Sequence, residues 1–134
     1  MQLIEQLGER NPQPSGETRP TILLVDDNVD VREALRFVIE SGGYAVAEAW
    51  NGQEALRYLH GNGPPRLILL DLKMPIMDGW TFLEERRKVA AFQQVPVIVI
   101  SASLIGENPL ADVDLWIPKP VYAELLLAAI DRYR

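Results

Sequence analysis

Residues 66–79 read RLILLDLKMPIMDG, a short apolar run followed by a polar loop, with Asp71 at the junction. Four consecutive aliphatic residues bounded by turn residues are typical of a parallel strand that is buried on both faces. Met74-Pro75 turns the chain away from helical geometry, and Asp78 provides a side-chain acceptor for the start of the next helix. Because open α/β sheets bind ligands at the carboxyl ends of their strands, this stretch predicts that Asp71 is a functional group.

The composition of the chain limits its size class and its partners. With 134 residues, of which 48% are hydrophobic, the chain fits a single domain with a substantial core. A formal net charge of −6, without a basic cluster, disfavours direct nucleic-acid binding. The absence of cysteine and the single histidine exclude disulfides and the usual zinc sites. Since no apolar stretch approaches the ~18 residues of a membrane span, we expect a cytoplasmic protein that does not insert into a membrane.

The first residues of the chain differ in composition from the rest. Residues 1–20 begin with apolar side chains at helical spacing and then become rich in proline and polar residues. Such a composition does not support a packed element, so we predict a flexible N-terminal tail over residues 1–20 and a folded domain over residues 21–134. Alternatively, an apolar stripe docks on a partner; it consists of Met1, Leu3, Ile4 and Leu7.

The rest of the chain alternates apolar runs with amphipathic stretches. Further strands are predicted at residues 21–25, 44–49, 97–100 and 115–117, and helices after Asn28, Asn51 and Asp78 and at the C-terminus. The helix after Asp78 is expected to continue to about Ala91, with Glu84 and Lys88 spaced for an i,i+4 pair. Strands that alternate with helices indicate an α/β fold with one doubly wound, five-stranded parallel sheet and helices on both faces. We predict the flavodoxin-like strand order 2-1-3-4-5, which places the first and third strands side by side.

In this topology the acidic residues that follow the first and third strands converge. Asp26 and Asp27 follow residues 21–25, and Asp71 follows the third strand. Carboxylates brought together repel one another unless a cation lies among them, and oxygen ligands favour Mg²⁺ or Mn²⁺. The sequence therefore predicts a divalent metal site. Asp26 and Asp27 alone are also compatible with simple capping of the first helix, although capping does not explain Asp71.

Ser101 and Lys119 follow the fourth and fifth strands and extend the same edge of the sheet. A hydroxyl donor and a compact cation suit phosphate chemistry, in which an aspartate attacks a phosphoryl group whose oxygens need neutralisation. Considered singly, Ser101 fits an ordinary turn hydroxyl and Lys119 a solvated surface charge. Their expected position beside the acidic cluster favours phosphoryl transfer.

In their order along the chain, these motifs resemble those of a response-regulator receiver domain over residues 21–134. The matching motifs are Asp26-Asp27, Asp71 before Met74-Pro75 and Asp78-Gly79, Ser101-Ala102, and Lys119-Pro120. The resemblance implies that Asp71 accepts a phosphoryl group from a phosphohistidine of a sensor histidine kinase or a histidine phosphotransfer protein. It also implies that Asp27, Asp71 and the backbone carbonyl of Lys73 bind Mg²⁺. Asp26 would act mainly through water.

The resemblance also implies how the phosphorylated state is read. Lys119 would pair with the phosphoryl oxygens, and Ser101 would move toward them as the switch hydroxyl. The Lys119–Pro120 peptide bond would be cis. Trp116 occupies the position of an aromatic side chain whose rotamer follows Ser101, and it fits equally well as an amphipathic packing residue of an edge strand.

The expected function is that of a stand-alone, non-enzymatic response regulator that signals by contact with a downstream protein target. A magnesium-dependent phosphohydrolase of the haloacid-dehalogenase type also uses an aspartyl nucleophile. Such enzymes usually carry a second acid two residues later, where this chain has Lys73, and a cap domain does not fit in the chain length. A degenerate receiver used only for docking is the third alternative. The complete set of acidic, hydroxyl and ammonium side chains argues against it.

One segment departs from the family pattern. Between Ser101 and Lys119 the chain is shorter than the usual span and lacks the alanine-rich helix that precedes the fifth strand. Only about one to two helical turns fit, so the fourth helix is predicted to be shortened. We predict that residues 106–114 are the most mobile ordered segment and that partner recognition relies on the first and last helices.

Overall fold

The computed structural model describes residues 19–102 and 113–133, which form a parallel sheet of five strands flanked by helices. The strands are β1 (Thr21–Val25), β2 (Ala45–Ala49), β3 (Leu67–Leu70), β4 (Val97–Ser101) and β5 (Leu115–Pro118). The helices are α1 (Val29–Ser41), α2 (Gly52–Asn62), α3 (Gly79–Arg87) and α4 (Ala123–Tyr133), with a short 3-10 helix at Ala90–Phe92. The strand order is β2-β1-β3-β4-β5, which confirms the predicted topology.

The three central strands, β1, β3 and β4, carry apolar side chains toward both faces of the sheet. Every residue of β3 and of β4 is buried. Successive residues of a strand point to opposite faces, so each of these strands contributes to two separate apolar layers. Helices on both sides of the sheet therefore explain the continuous apolar runs in the sequence.

The sheet divides the core into two hydrophobic clusters. In the α2–α3 cluster, strand residues such as Leu23 and Leu70 pack with side chains of α2 and α3, including Phe82. In the α1–α4 cluster, the alternate strand residues, such as Ile22 and Leu69, pack with side chains of α1 and α4. Helices thus cover both faces, as predicted. Within residues 19–102 and 113–133, none of the helices has the length and apolarity that a membrane crossing requires.

Three helices begin with a side-chain cap directly after a strand or its loop. Asn28, Asn51 and Asp78 each accept a hydrogen bond from the backbone N–H three residues later, at 3.0, 2.9 and 2.8 Å respectively. A cap of this kind stabilises a helix by about 1 kcal/mol. The predicted helix starts are confirmed, and the connections at the carboxyl edge of the sheet are short and held at their helical ends.

The third helix ends earlier than the sequence predicts. α3 stops at Arg87 instead of continuing to about Ala91, and the chain then enters the 3-10 helix. This tighter turn buries Phe92, which is 4% exposed. Arg86 stabilises the turn because its Nη2 donates to the Val95 carbonyl at 2.7 Å. Burial of the Phe92 side chain therefore stabilises the chain more than further turns of α3 would.

The predicted pairing of Glu84 with Lys88 is wrong. Lys88 Nζ lies 3.0 Å from Glu85 Oε2, at i,i+3 spacing. Lys88 is the C-cap residue of α3, so it lies beyond the last regular turn in which an i,i+4 pair forms. Exposed pairs of this type contribute little to stability.

Several predictions concern residues outside the described ranges. The shortened helix between β4 and β5, and most of the segment 106–114, fall on residues 103–112. Of the predicted N-terminal tail, residues 1–20, the structure describes only residues 19 and 20. The tail, the domain boundary, the shortened fourth helix and the mobility of residues 106–114 therefore stay predictions.

Gly79 begins α3 directly against the end of β3. A Cβ atom at this position would lie 2.5 Å from the Asp71 carbonyl oxygen and 2.9 Å from Leu72 Cα. We predict that Gly79→Ala lowers the free energy of unfolding by about 1–3 kcal/mol, because the added methyl group forces the loop away from the strand. Urea denaturation measures the change.

Gly61→Ala provides the matched control for this substitution. Gly61 lies in α2 and has no atom within 4 Å of its Cβ position. The control is expected to be neutral or to stabilise by up to about 1 kcal/mol, since alanine favours the helix. Equal destabilisation of the two variants would contradict the close-packing explanation.

Candidate functional site

The strand order brings three carboxylates together at the carboxyl edge of the sheet. β1 and β3 pair in parallel with Val25 beside Leu70, so Asp26 and Asp71 leave neighbouring strands at the same level. One oxygen from each of Asp26, Asp27 and Asp71 lies within 4.8 Å of the other two. The three acidic residues singled out from the sequence therefore form one cluster, here called the acidic cluster.

Lys119 supplies a positive charge to the acidic cluster. Its Nζ donates to Asp26 Oδ2 at 2.8 Å and lies 3.4 Å from Asp71 Oδ2. The two carboxylates are largely buried, with side-chain exposures of 3% for Asp26 and 11% for Asp71. Because a buried carboxylate without a partner is costly, the ammonium group stabilises the two carboxylates.

Backbone groups hold the remaining oxygens of the two buried aspartates. Asp26 Oδ1 accepts a hydrogen bond from the Asn28 N–H at 2.9 Å, and Asp71 Oδ1 accepts one from the Leu72 N–H at 2.8 Å. In both residues Oδ2 therefore faces Lys119. Asp27, by contrast, is exposed.

The environment of the cluster shifts the titration of two groups. Burial raises the pKa of Asp71 above its ordinary value, and the charge of Asp26 acts in the same direction, while Lys119 partly opposes the shift. Burial alone would lower the pKa of Lys119, but its hydrogen bond to Asp26 and the charges of both aspartates raise it. Lys119 therefore stays protonated throughout the neutral range. Perturbed groups of this kind concentrate at functional sites.

A supporting network behind Asp26 was not predicted from the sequence. Arg32 Nη1 donates to the Asp26 carbonyl at 2.8 Å, and Arg32 Nε donates to Glu48 Oε1 at 2.9 Å. Arg36 also pairs with Glu48. Burial alone would raise the pKa of Glu48, but these two arginines lower it. Two features of the sequence could have indicated this network: the i,i+4 spacing of Arg32 and Arg36 on α1, and Glu48 as the lone acid in β2.

Ser101 and Trp116 lie on the same side of the sheet. Ser101 ends β4 and is 1% exposed. Trp116 in β5 pairs with Val99, and Ser101 follows Val99 by two residues, so both side chains leave the same face. Trp116 packs against the α2–α3 cluster, and its indole N–H has no partner within the described residues. The two side chains belong to neighbouring strands next to the acidic cluster.

The loop after β3 is held by backbone hydrogen bonds at both ends. Gly79 N–H donates to the Leu72 carbonyl at 2.8 Å, and Gly52 N–H donates to the Met77 carbonyl at 2.8 Å. Lys73 lies inside this loop with an exposed side chain. Across the cluster, the peptide bond between Lys119 and Pro120 is cis, as the resemblance implies.

The donor atoms of the acidic cluster fit a hard divalent cation. Its ligands are carboxylate oxygens, the chain has no cysteine, and its single histidine, His60, lies against Phe92 with the ring centroids 5.3 Å apart. Oxygen ligands of this kind suit Mg²⁺ or Mn²⁺ better than zinc or copper. The position of the Lys119 ammonium between Asp26 and Asp71 shows that a cation is favourable among these oxygens.

A family model described as "Response regulator receiver domain" matches residues 22–131. The chain is 33% identical over 116 residues to the sensor histidine kinase CheAY of Helicobacter pylori, covering 83% of this chain and 14% of the kinase. It is 37% identical over 117 residues to the transcriptional regulatory protein PrrA of Mycobacterium tuberculosis, covering 84% of this chain and 49% of the regulator. The chain thus spans less than half of the length of each of these relatives.

Among solved structures, a similar one is the receiver domain of a sensor histidine kinase from Pseudomonas aeruginosa PAO1. The two chains align with a TM-score of 0.79 at 27% identity, covering 87% of this chain and 98% of that one. In that structure a magnesium ion is coordinated in the active site cleft.

We predict that Asp27→Ala weakens Mg²⁺ binding at least about tenfold, because Mg²⁺ relies on one or two protein carboxylates and keeps water at its other positions. Lys119→Met is expected to strengthen binding severalfold, since removal of the ammonium leaves Asp26 and Asp71 without compensation. Mg²⁺ titration followed by tryptophan fluorescence measures the affinities.

Asp30→Ala is the matched control for these variants, because Asp30 is an exposed acid in the first turn of α1 outside the cluster. Its Mg²⁺ affinity should equal that of the wild type. If Asp27→Ala also keeps wild-type affinity, the acidic cluster is not the metal site.

Proposed function

The chain belongs to the response regulator receiver domain family of two-component signalling, and from this premise we propose that Asp71 accepts a phosphoryl group from a phosphohistidine. The donor is a sensor histidine kinase or a histidine phosphotransfer protein. The observation that carries the proposal is the Lys119 ammonium between Asp26 and Asp71, beside the third carboxylate of the cluster. Such a site combines a nucleophile with positive charge for phosphoryl oxygens.

In the proposed reaction, an oxygen of Asp71 attacks the phosphorus atom in line with its bond to the donor histidine. The O–P bond forms as the N–P bond breaks, and the electron pair of that bond returns to the imidazole nitrogen. The product is an aspartyl phosphate. Lys119 supports the step because its ammonium already lies 3.4 Å from Asp71 Oδ2 and can pair with the incoming phosphoryl oxygens.

A bound divalent cation, Mg²⁺ or Mn²⁺, would supply further neutralisation of the phosphoryl oxygens. We assign its ligands to Asp27, Asp71 and the backbone carbonyl of Lys73, with Asp26 acting mainly through water. Two observations support this division. Lys119 Nζ lies closer to Asp26 Oδ2, at 2.8 Å, than to Asp71 Oδ2, at 3.4 Å, and Asp27 is exposed. That a cation is held at such a site is supported by the similar receiver domain from Pseudomonas aeruginosa, which coordinates magnesium in its cleft.

We assign Ser101 as the hydroxyl that moves toward the phosphoryl oxygens and Trp116 as the side chain that follows it. Ser101 is buried at the edge of the sheet next to the loop of Lys119, whose N–H donates to the Ser101 carbonyl at 3.1 Å. Trp116 lies on the same face in the adjacent strand. In this proposal Trp116 responds to the movement of Ser101 and carries the modification to the surface of the domain.

The chain acts in this proposal as a signalling domain and not as a phosphohydrolase. The position where hydrolases of the haloacid-dehalogenase type carry their second acid is Lys73, an exposed base. The complete acidic cluster with Lys119 favours phosphoryl acceptance over a purely docking role. The signal leaves by contact with a downstream protein, because a net charge of −6 disfavours nucleic acid. We propose that the exchange takes place in the cytoplasm.

Asp71→Asn should abolish labelling of the chain by acetyl phosphate and its response to beryllofluoride, since an amide cannot form the aspartyl phosphate. Labelling of the wild type should require divalent metal. The matched control is Asp78→Asn in the same loop, because asparagine also caps a helix and Asp78 acts as the cap of α3. Label that persists in Asp71→Asn at the wild-type level would show that another residue is the acceptor.

We also propose that partner proteins bind to the first and last helices, α1 and α4. They cover the same face of the sheet and pack in one hydrophobic cluster. Each also exposes a large apolar side chain, with Phe37 of α1 76% exposed and Leu125 of α4 51% exposed. Exposed apolar groups on adjacent helices suit a partner helix or loop.

Phe37→Ser is predicted to lower kcat/KM for phosphotransfer at least about tenfold, because a large apolar anchor contributes strongly to an interface. Purified histidine kinases and phosphotransfer proteins are first screened as a panel. The protein that labels the wild type fastest is then used as the donor. Ala90→Ser, at an exposed position of the 3-10 helix, serves as the control. An unchanged kcat/KM in both Phe37→Ser and Leu125→Ser would exclude α1 and α4 as the donor surface.

A further inference from the structure

Ile76 has an unusual backbone conformation beside the acceptor residue. Its φ angle is +70°, and within residues 19–102 and 113–133 it is the one residue other than glycine with a positive φ. A β-branched side chain at positive φ crowds the backbone, so such residues are genuine outliers in folded proteins. Glycine or asparagine would meet the same backbone demand at lower cost.

The side chain of Ile76 gains no burial from this conformation. The Ile76 side chain is 78% exposed, the highest value among the exposed large hydrophobic residues of the described chain. Its neighbours Met74 and Met77 pack against the α2–α3 cluster instead. Hydrogen bonds from Met77 N–H to the Pro75 carbonyl at 2.7 Å and from Gly52 N–H to the Met77 carbonyl at 2.8 Å fix the turn. The loop therefore presents an apolar side chain to solvent from a fixed position.

This position lies beside the acceptor cleft. Ile76 follows Asp71 by five residues, within the loop that carries Asp71 into α3. The hydrogen bond between Gly52 and Met77 joins that loop to the start of α2. Trp50, two residues before Gly52, is 52% exposed and therefore adds a second apolar group to the joined loops.

We propose that Ile76 is a specificity-determining contact for the protein phosphodonor, and that its side chain inserts into an apolar recess beside the donor's phosphohistidine. The inference rests on the proposed acceptor role of Asp71. A donor protein must bring its imidazole within bonding distance of a largely buried carboxylate, so its surface has to cover the loop that follows Asp71. A small donor such as acetyl phosphate has no surface that reaches Ile76. The positive φ of Ile76, its exposure and its place in the loop after Asp71 together favour a contact with the protein surface that covers this loop.

Two substitutions separate the side chain from the backbone conformation. Ile76→Asn keeps a similar size, tolerates positive φ and removes the apolar surface, whereas Ile76→Leu keeps the apolar surface. Each variant is labelled by acetyl phosphate and by the protein donor that labels the wild type fastest in the purified panel. Their thermal midpoints are measured in parallel.

For Ile76→Asn, the ratio of protein-donor to acetyl phosphate kcat/KM should fall at least about tenfold, mainly through KM, because an apolar contact is lost on binding. Its Tm should rise by about 3 °C, since the backbone is relieved. Ile76→Leu should keep the ratio within about threefold of the wild type, because the apolar contact is retained.

The possible failures are distinguishable. An Ile76→Asn variant with the wild-type ratio overturns the specificity role and leaves the acceptor role of Asp71 intact. A lower Tm in Ile76→Asn also overturns it, because the side chain would then act within the fold. A wild-type chain that is labelled by neither donor class removes the proposed function and this inference together.

Discussion

The ion pair between Lys119 and Asp26 connects the ends of the first and the last strand along the chain, β1 and β5. Asp26 follows β1 and Lys119 follows β5, and in the strand order β3 and β4 lie between them. The pair therefore forms only when all the intervening strands are in register. Asp26 is almost fully buried, and removing the partner of a buried charge typically costs about 3–5 kcal/mol. The charge that the proposed phosphoryl transfer uses thus also stabilises the fold.

The precision of the acidic cluster comes from the short connections around it. The helix caps, the close approach of Gly79 to Asp71 and the hydrogen bond from Gly52 to Met77 fix the loops over the carboxyl edge. Behind Asp26, Arg32 holds the carbonyl and shares Glu48 with Arg36. These contacts hold the backbone of the cluster, so its carboxylates stay close together although their charges repel.

Features that depend on local pattern were predictable from the sequence, whereas features that depend on distant partners were not. Apolar runs predicted the strands, their alternation with helices predicted a parallel sheet, and the flavodoxin-like strand order chosen for that sheet brought Asp26 and Asp71 together. The Arg32–Glu48 contact joins residues 16 positions apart, and the hydrophobic periodicity of the sequence does not predict it. The early end of α3 has a similar cause, because burial of Phe92 is a tertiary effect that competes with local helix propensity.

The division of the core by the sheet has a consequence for divergence. The α1–α4 and α2–α3 clusters share no buried side chain among the described residues, because alternate strand residues face opposite ways. Substitutions on the two sides are separated by a layer of backbone, so their effects on stability should largely add. The residues of one cluster can then change during evolution while those of the other cluster are conserved.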